Sequence, residues 1–444
     1  MKFFCTRILL AGLLLMMGCG RSGPPVPEVT EITPTAEVAP QAVPEVDVAD
    51  EDWPWWRGPS RNGIANSSAP TRWSATQNVV WSTPVPGRGH SSPTVVENRI
   101  FLATADEAAR TQSVIAFDRA SGKPLWQRQL HQGGLPDRGQ MHAKSTHANC
   151  TVACDGERVF VAFLNNAEVH ATALSLDGDV EWQTTLGPFA SQFGYAPSPA
   201  IWGPLVLFAA DHRDGGFLAG VNRLNGEIVW RKKRPAVATY SSPAVAELDG
   251  RPQLVISGGE QIASYDPATG ESLWTVEGAT EATCGTLVWD GDLVFASGGY
   301  PGSETICVRA DGSGEVWKNR QKCYEQSMLA HDGFLYAVND NGIAYCWEAA
   351  TGKEQWKSRL SGPVSASPVL AGGNIYVSNE RGTTYVFRAD PAAFDLVAEN
   401  ELGDTTFSTL SVCGGQIFHR VSKDGSETLY CIGDAEAVQV SLND

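Results

Sequence analysis

Basic residues are scarce in this chain. Its 33 lysines and arginines stand against 50 aspartates and glutamates, for a formal charge of -17 over 444 residues. Nucleic acids and anionic membrane surfaces are held through basic stripes, so neither is expected as a partner. Long apolar runs are also missing. The longest, ILLAGLLLMMG at residues 8–18, is too short to span a bilayer comfortably, and nothing after it could cross. No two cysteines are adjacent in the sequence. His131, His142 and His147 are 11 and 5 residues apart, which fits no specific metal-ligand pattern. Asp211 and His212 could orient a general base, but no serine or cysteine nucleophile can be placed beside them.

What the chain does have is repetition. A polar turn, a glycine and a tryptophan recur about every 45 residues: DRASGKPLW ends at Trp126, SLDGDVEW at Trp182, NRLNGEIVW at Trp230, DPATGESLW at Trp274, DGSGEVW at Trp317 and EAATGKEQW at Trp356. Glycine stands four residues before the tryptophan in five of the six (Gly122, Gly178, Gly226, Gly270, Gly352). Such a glycine supplies a positive φ in a tight hairpin, and the indole opens the next strand with a large apolar surface. Ahead of each phrase lie two apolar strands joined by an Asp-Gly or Gly-Gly type turn. Aligning eight such pairs on the turn puts a small residue at one register: Ser92, Cys150, Ser198, Ser242, Gly285, Ser327, Ser367 and Thr409. One unit cannot bury its own faces, so the copies must share a core. Period-2 strands at this spacing predict an all-β, eight-bladed propeller of four-stranded antiparallel blades, with the small residues ringing its axis.

The ends predict closure. The eighth unit stops after SETLYCIG (426–433) without a tryptophan strand, and an orphan strand, NVVWSTPVPG around Trp81, precedes the first unit. That strand should complete the last blade and remove a free sheet edge. Blade seven lacks its tryptophan near Leu396 to Ala398. The propeller is expected over 78–434, with a tail at 435–444. Residues 53–77, opening with WPWWRGPSRNG, are too aromatic for a linker and are expected to cap the outside of the propeller. Residues 20–52 are rich in Pro, Val and Glu, with no lysine or arginine from Ser22 to Asp52, and read as an extended disordered tether. Residues 1–19, with Lys2 and Arg7 ahead of the apolar run and Cys19 at its end, form a signal segment.

Ten cysteines in an oxidising compartment invite a disulfide framework. The repeat register argues against most pairings. Cys307, Cys346 and Cys431 share one strand position, where other blades carry Ala116, Thr172, Gly220 and Ser264. Cys154 and Cys413 share another, just before a turn. Equivalent positions in neighbouring blades should exceed the ~7 Å Cα limit for a disulfide. Most are therefore read as small buried fillers, with Cys284–Cys323 the one pairing left open.

The Gly-Trp phrase resembles the tryptophan-docking repeat of pyrroloquinoline quinone (PQQ) dehydrogenases, an eight-bladed fold, from about Trp81 to Gly433. The leader resembles bacterial lipoprotein signals, with Met16 where that family usually has Leu, and this implies lipidation at Cys19. Leader and compact blades together resemble the propeller lipoprotein of the outer-membrane β-barrel assembly machinery. WPWWRGP and the regular repeats are similar to PQQ-repeat proteins of planctomycete-type bacteria. The dehydrogenase resemblance would imply a vicinal disulfide, a Ca²⁺ site and an Asp base, none of which can be matched here.

Two functions follow. One is a non-catalytic, monomeric scaffold, lipid-anchored on the periplasmic side of the bacterial envelope, that binds an envelope protein or small molecule without a cofactor. The alternative is a quinone-dependent oxidoreductase using PQQ and calcium at the channel mouth. Either would use the face carrying the longer loops. His90, His147, Asn149, Tyr195, Tyr240, Glu281, Tyr324, Glu325 and Gln326 are expected there near the axis, and Asp211 and His212 farther out. Glu281 and Glu325 could hold Ca²⁺, act as an acid/base pair, or be rim charges bonded to neighbouring loops. The insertion from His131 to His147 is expected on the same face.

Overall fold

Each Gly-Trp phrase makes a hairpin, and each hairpin is the outer half of one sheet. A computed structural model describes residues 29–35 and 46–433; Cys19, the rest of the leader and the 435–444 tail lie outside the described residues. Among the described residues, thirty-two strands form eight four-stranded antiparallel sheets around one axis, with a single short 3-10 turn, Arg138–Gln140. Blade one runs from Thr94–Val96 at the axis to Pro124–Gln132 at the rim, and the next six repeat that order. The eighth takes its rim strand from the N-terminus: Val79–Val85 pairs with Ser426–Ile432, Trp81 facing Cys431. The ring therefore closes as the sequence predicts.

Tryptophan docking fastens the blades. The indole N–H of Trp81, Trp126, Trp182, Trp230, Trp317 and Trp356 each donates to a carbonyl of the following blade at 2.7–3.2 Å. The indoles of Trp81, Trp126, Trp182, Trp230 and Trp317 also lie over the turn glycine of that next blade; the turn that Trp356 meets in blade seven carries no glycine. At Gly122 (φ +69) an added Cβ would come within 2.4 Å of the Trp81 ring. The glycine is required twice over, for its backbone conformation and for the indole's approach. Trp274 departs from the pattern: it bonds to Gln253 of its own blade at 2.8 Å. In blade seven the missing tryptophan is replaced by buried Ala398, facing Val386.

The small residues do ring the axis, with two corrections. Backbone N–H groups donate to side-chain hydroxyls around the circle: Ser92 to Thr151, then Ser198, then Ser242, and again from Thr286 to Ser327, Ser367, Thr409 and back to Ser92, all at 2.9–3.1 Å. Thr151 and Thr286 take the places expected for Cys150 and Gly285. In blades two and five the Asp-Gly dipeptide sits one residue earlier relative to the strands, so alignment on the dipeptide slips the register by one. A separate one-residue difference affects the rim of blade two, whose outer turn is one residue shorter than that of blade one, so that Ala173, not Thr172, faces Trp182.

The N-terminal segments depart most from expectation. Residues 53–64 do not lie on the outside of the propeller; they cross its axis on the tight-turn face. Trp53 bridges to Val95 of blade one, the Arg57 guanidinium donates to the Met328 and Pro368 carbonyls of blades six and seven, Arg61 to Ile201 of blade three, and Asn62 to Trp289 of blade five. Arg57 is 1% exposed, and burial lowers its pKa to about 9. The stretch expected to be a disordered tether also packs in both parts that are described. Ile32 bridges to Arg231 at the rim of blade three, and Val46 and Val48 rest on the core.

The cysteines behave as fillers. Cys150, Cys154, Cys307, Cys323, Cys346, Cys413 and Cys431 are buried and free, and the partly buried Cys284 is free as well, so Cys284 and Cys323 form no disulfide. Burial pushes the thiols of Cys307, Cys346 and Cys431 up to about 12.

Candidate functional site: an aromatic funnel on the loop face

The axial channel is closed at one end and open at the other. On the tight-turn face the plug drives Trp56 into the axis, where its indole N–H donates to the Thr286 hydroxyl at 2.8 Å. Above Trp56 and the hydroxyl ring opens a funnel of about 600 Å³, lined by His90, Asn149, Phe193, Tyr240, Tyr324 and Phe407 among others. Its walls come from the loops that join one blade's rim strand to the next blade's inner strand. Those loops are long enough to place aromatic rings around the axis, whereas the opposite turns are not.

The aromatic walls are fixed by mutual packing. His90 stacks on Phe407 at 4.7 Å between centroids, Phe193 meets Tyr240 edge-on at 5.4 Å, and the Tyr240 hydroxyl shares a 3.0 Å hydrogen bond with Ser191. Burial, with Arg88, Arg420 and Arg138 nearby, lowers the His90 pKa to about 3, so the ring is neutral and acts as an aromatic wall. Burial raises the Tyr240 hydroxyl to about 12. Tyr300 is 54% exposed at the rim.

Five of the eleven expected site residues line the funnel: His90, Asn149, Tyr240, Tyr324 and Glu325. Glu281 lies one step outside, in an adjoining groove that Phe193, Tyr240, Tyr300 and Tyr324 separate from the axis. The other five are built into the scaffold. Tyr195 is buried, its hydroxyl donating to the Ala209 carbonyl at 2.9 Å. Asp211 is locked to the fully buried Arg234 guanidinium at 2.8 Å, which also reaches the Tyr265 hydroxyl; this carboxylate keeps Arg234 charged. His212 packs edge-on against Phe189 and is not free to serve as a base beside Asp211. The Gln326 amide donates to the Val364 carbonyl. His147, near the end of the insertion, is itself buried, its carbonyl taking a hydrogen bond from Gln112. All five stand in connecting segments outside the strands, where the backbone turns these side chains into packing and away from the channel.

Several lining residues lay outside the sequence reading. Trp56 was assigned to the outer surface, and Phe193 and Phe407 had no repeat register to mark them. Lys144, within the expected insertion, reaches across the mouth to Glu380 at 2.6 Å and Glu325 at 3.7 Å.

Among the described residues no three His, Cys, Asp or Glu side chains gather closely enough to hold a metal ion. Glu281 and Glu325 fall in different cavities, and Glu325 faces a lysine. Among the described residues no helix is long and apolar enough to cross a membrane.

Comparison with known proteins agrees with this geometry. The chain matches the family described as "Outer membrane protein assembly factor BamB" over residues 71–186, 110–358 and 329–393. It is 26% identical over 375 residues to the protein of that name from Yersinia pestis, covering 79% of this chain and 86% of the relative. A shorter match, 20% identical over 164 residues, is to the protein of that name from Legionella pneumophila, of which it covers 42%. Among solved structures, BamB from Moraxella catarrhalis superposes with a TM-score of 0.59 at 16% identity, covering 79% of this chain and 98% of that one. The quinohemoprotein alcohol dehydrogenase of Comamonas testosteroni superposes at 0.64 with 11% identity, covering 87% of this chain and 81% of that one. At such identities the structural likeness is one of fold.

Proposed function

The chain belongs to the BamB family, and from that premise we propose that it is a non-catalytic binding propeller of the bacterial envelope, acting in outer-membrane protein assembly. In this reading Cys19 is lipidated and holds the propeller on the periplasmic side of the outer membrane. The loop-face funnel takes a segment of a protein partner.

The observation that carries this reading is the funnel itself. It is a preformed cavity about 600 Å³ in volume, walled by aromatic rings and floored by Trp56. Such surfaces concentrate binding energy in a few aromatic and charged anchors. Catalysis finds less support, since the Asp211–His212 pair is occupied by packing and, among the described residues, the acidic groups do not gather around a metal site. PQQ and calcium are accordingly no part of the proposal, and adding both to purified protein should produce no quinone absorbance.

Deletion of the gene from its own bacterium, followed by return of wild-type or variant copies, tests the role. The wild-type gene and Lys123→Ala should restore the levels of outer-membrane β-barrel proteins. Tyr240→Ala with Tyr324→Ala should not, and neither should Cys19→Ala if anchoring matters. Normal β-barrel levels in the deletion strain would overturn the assignment.

A further inference from the structure

The funnel mouth already contains a cation. The insertion between blades one and two, residues 133–149, runs over the opening as a strap. Its own contacts shape it: Arg138 donates to the carbonyls of His142, Ala143 and Ser145, the His142 N–H donates to the Gln192 carbonyl at 2.8 Å, and the His142 ring lies 5.2 Å from Phe193. From this strap Lys144 extends to blades six and seven. There its ammonium donates to Glu380 at 2.6 Å, with Glu325 at 3.7 Å. Glu380 is further fixed by the Ser365 hydroxyl at 2.7 Å. Asp340 adds a third carboxylate, partly answered by Lys322 at 3.3 Å. Burial disfavours the Lys144 charge, but its hydrogen bond to Glu380 and the fields of Glu325, Glu380 and Asp340 outweigh it and raise its pKa.

The exposures of the two partners differ. The Glu380 side chain is 13% exposed and held in place, whereas the Lys144 side chain is 41% exposed on a loop. Withdrawing Lys144 would leave Glu325 and Glu380 without a basic ion-pair partner among the described residues, and Glu325 lines the same cavity as the rings of Tyr324, Tyr300 and Phe407. Carboxylates next to aromatic faces suit an ammonium or guanidinium on an apolar stem. The chain's charge of -17 favours approach of such a group.

We propose that the funnel recognises a lysine or arginine side chain of an extended polypeptide, which displaces Lys144 from Glu380 and Glu325, so that the strap is a built-in competitor for its own site. This rests on the reading that the funnel binds polypeptide. Displacement exchanges one ion pair for another, and the aromatic walls supply the gain. A folded globular domain would not fit beneath the strap, whereas an extended segment would.

The test uses full-length protein and two probes, acetyl-Tyr-Lys-Tyr-amide and acetyl-Tyr-Glu-Tyr-amide, followed by calorimetry at two salt concentrations. The lysine peptide should bind about three- to tenfold more tightly than the glutamate peptide, and less so at high salt. Lys144→Met should raise affinity for the lysine peptide several-fold, because the competitor is gone. Glu380→Gln and Glu325→Gln should lower it. A contact role for Lys144 gives the opposite sign, and equal or weaker binding by Lys144→Met would overturn the proposal. If both peptides bind equally and Tyr240→Ala with Tyr324→Ala abolishes both, the funnel reading stands and the cation inference fails. If neither peptide binds, both fail. Unchanged melting temperatures confirm that each variant is folded.

Discussion

Removing the Trp81 indole measures how the ring is closed. In Trp81→Ala the half-buried ring leaves Phe418, 6.2 Å away, and its hydrogen bond to the Arg119 carbonyl is lost. Full truncation of a buried tryptophan costs ~3–5 kcal/mol, and partial exposure puts this site near the lower end. The reciprocal change, Gly122→Ala, places a methyl 2.4 Å from that ring at a φ of +69. Backbone strain there costs about 1 kcal/mol and the overlap a further ~1–3 kcal/mol. Removing the indole removes the overlap, leaving only the strain. The double variant should therefore be more stable than the sum of the singles implies, by roughly 1–3 kcal/mol. Unfolding entropy grows with length, so at about 350 ordered residues 1 kcal/mol moves the melting temperature by only ~1–1.5 °C. Chemical denaturation is thus the better assay. Strict additivity would refute the claim that Trp81 docks on the turn of blade one and seals the ring.

Three further outcomes follow from buried groups. His419 is fully buried and its pKa is lowered by burial from 6.5 to about 4. The unfolded chain takes up this proton first, so stability is full above pH 6.5 and falls towards pH 4, by about 3 kcal/mol. His419→Gln should flatten that part of the pH profile, and an unchanged acid limb would show that His419 does not contribute. Asp211→Ala strands the buried Arg234 guanidinium and should destabilise by ~3–5 kcal/mol, while any Asp211→Ala protein that folds keeps its peptide affinity. Cys307→Ala and Cys346→Ala should be tolerated with modest loss, because alanine already faces the docked tryptophan in blades one and two. Non-reducing mass mapping should find both thiols free; a Cys307–Cys346 bridge would contradict the blade spacing.

The fold was legible because its determinants repeat. Gly122, Gly226 and Trp230 mean little singly, but six copies of their phrase and eight strand pairs at a fixed spacing leave few architectures, and the orphan Trp81 strand then has one place to go. The site was legible only by face. His90 and Tyr240 were placed correctly because they directly precede inner strands, where the axis is the nearest free space. Tyr195 and Gln326 also lie just ahead of inner strands, but there the backbone turns the side chain between blades, and no local pattern marks that phase. Asp211 just follows the second strand of blade three and Arg234 ends its fourth, 23 residues on with a strand between them, so their pairing is a fact of the folded sheet. The plug was missed for another reason. Its contacts, such as Arg57 to Pro368 and Met328, span more than 270 residues and belong to no repeat.

The funnel's role is most directly tested by site-specific photo-crosslinking in the living envelope. A photoreactive phenylalanine analogue is placed at Tyr324 or Phe407 in the funnel, or at Lys123 or Lys353 on the tight turns of the other face. The account predicts adducts with outer-membrane β-barrel chains or their assembly partners from the two funnel positions, and none from the turns. Adducts only from Lys123 and Lys353 would contradict it.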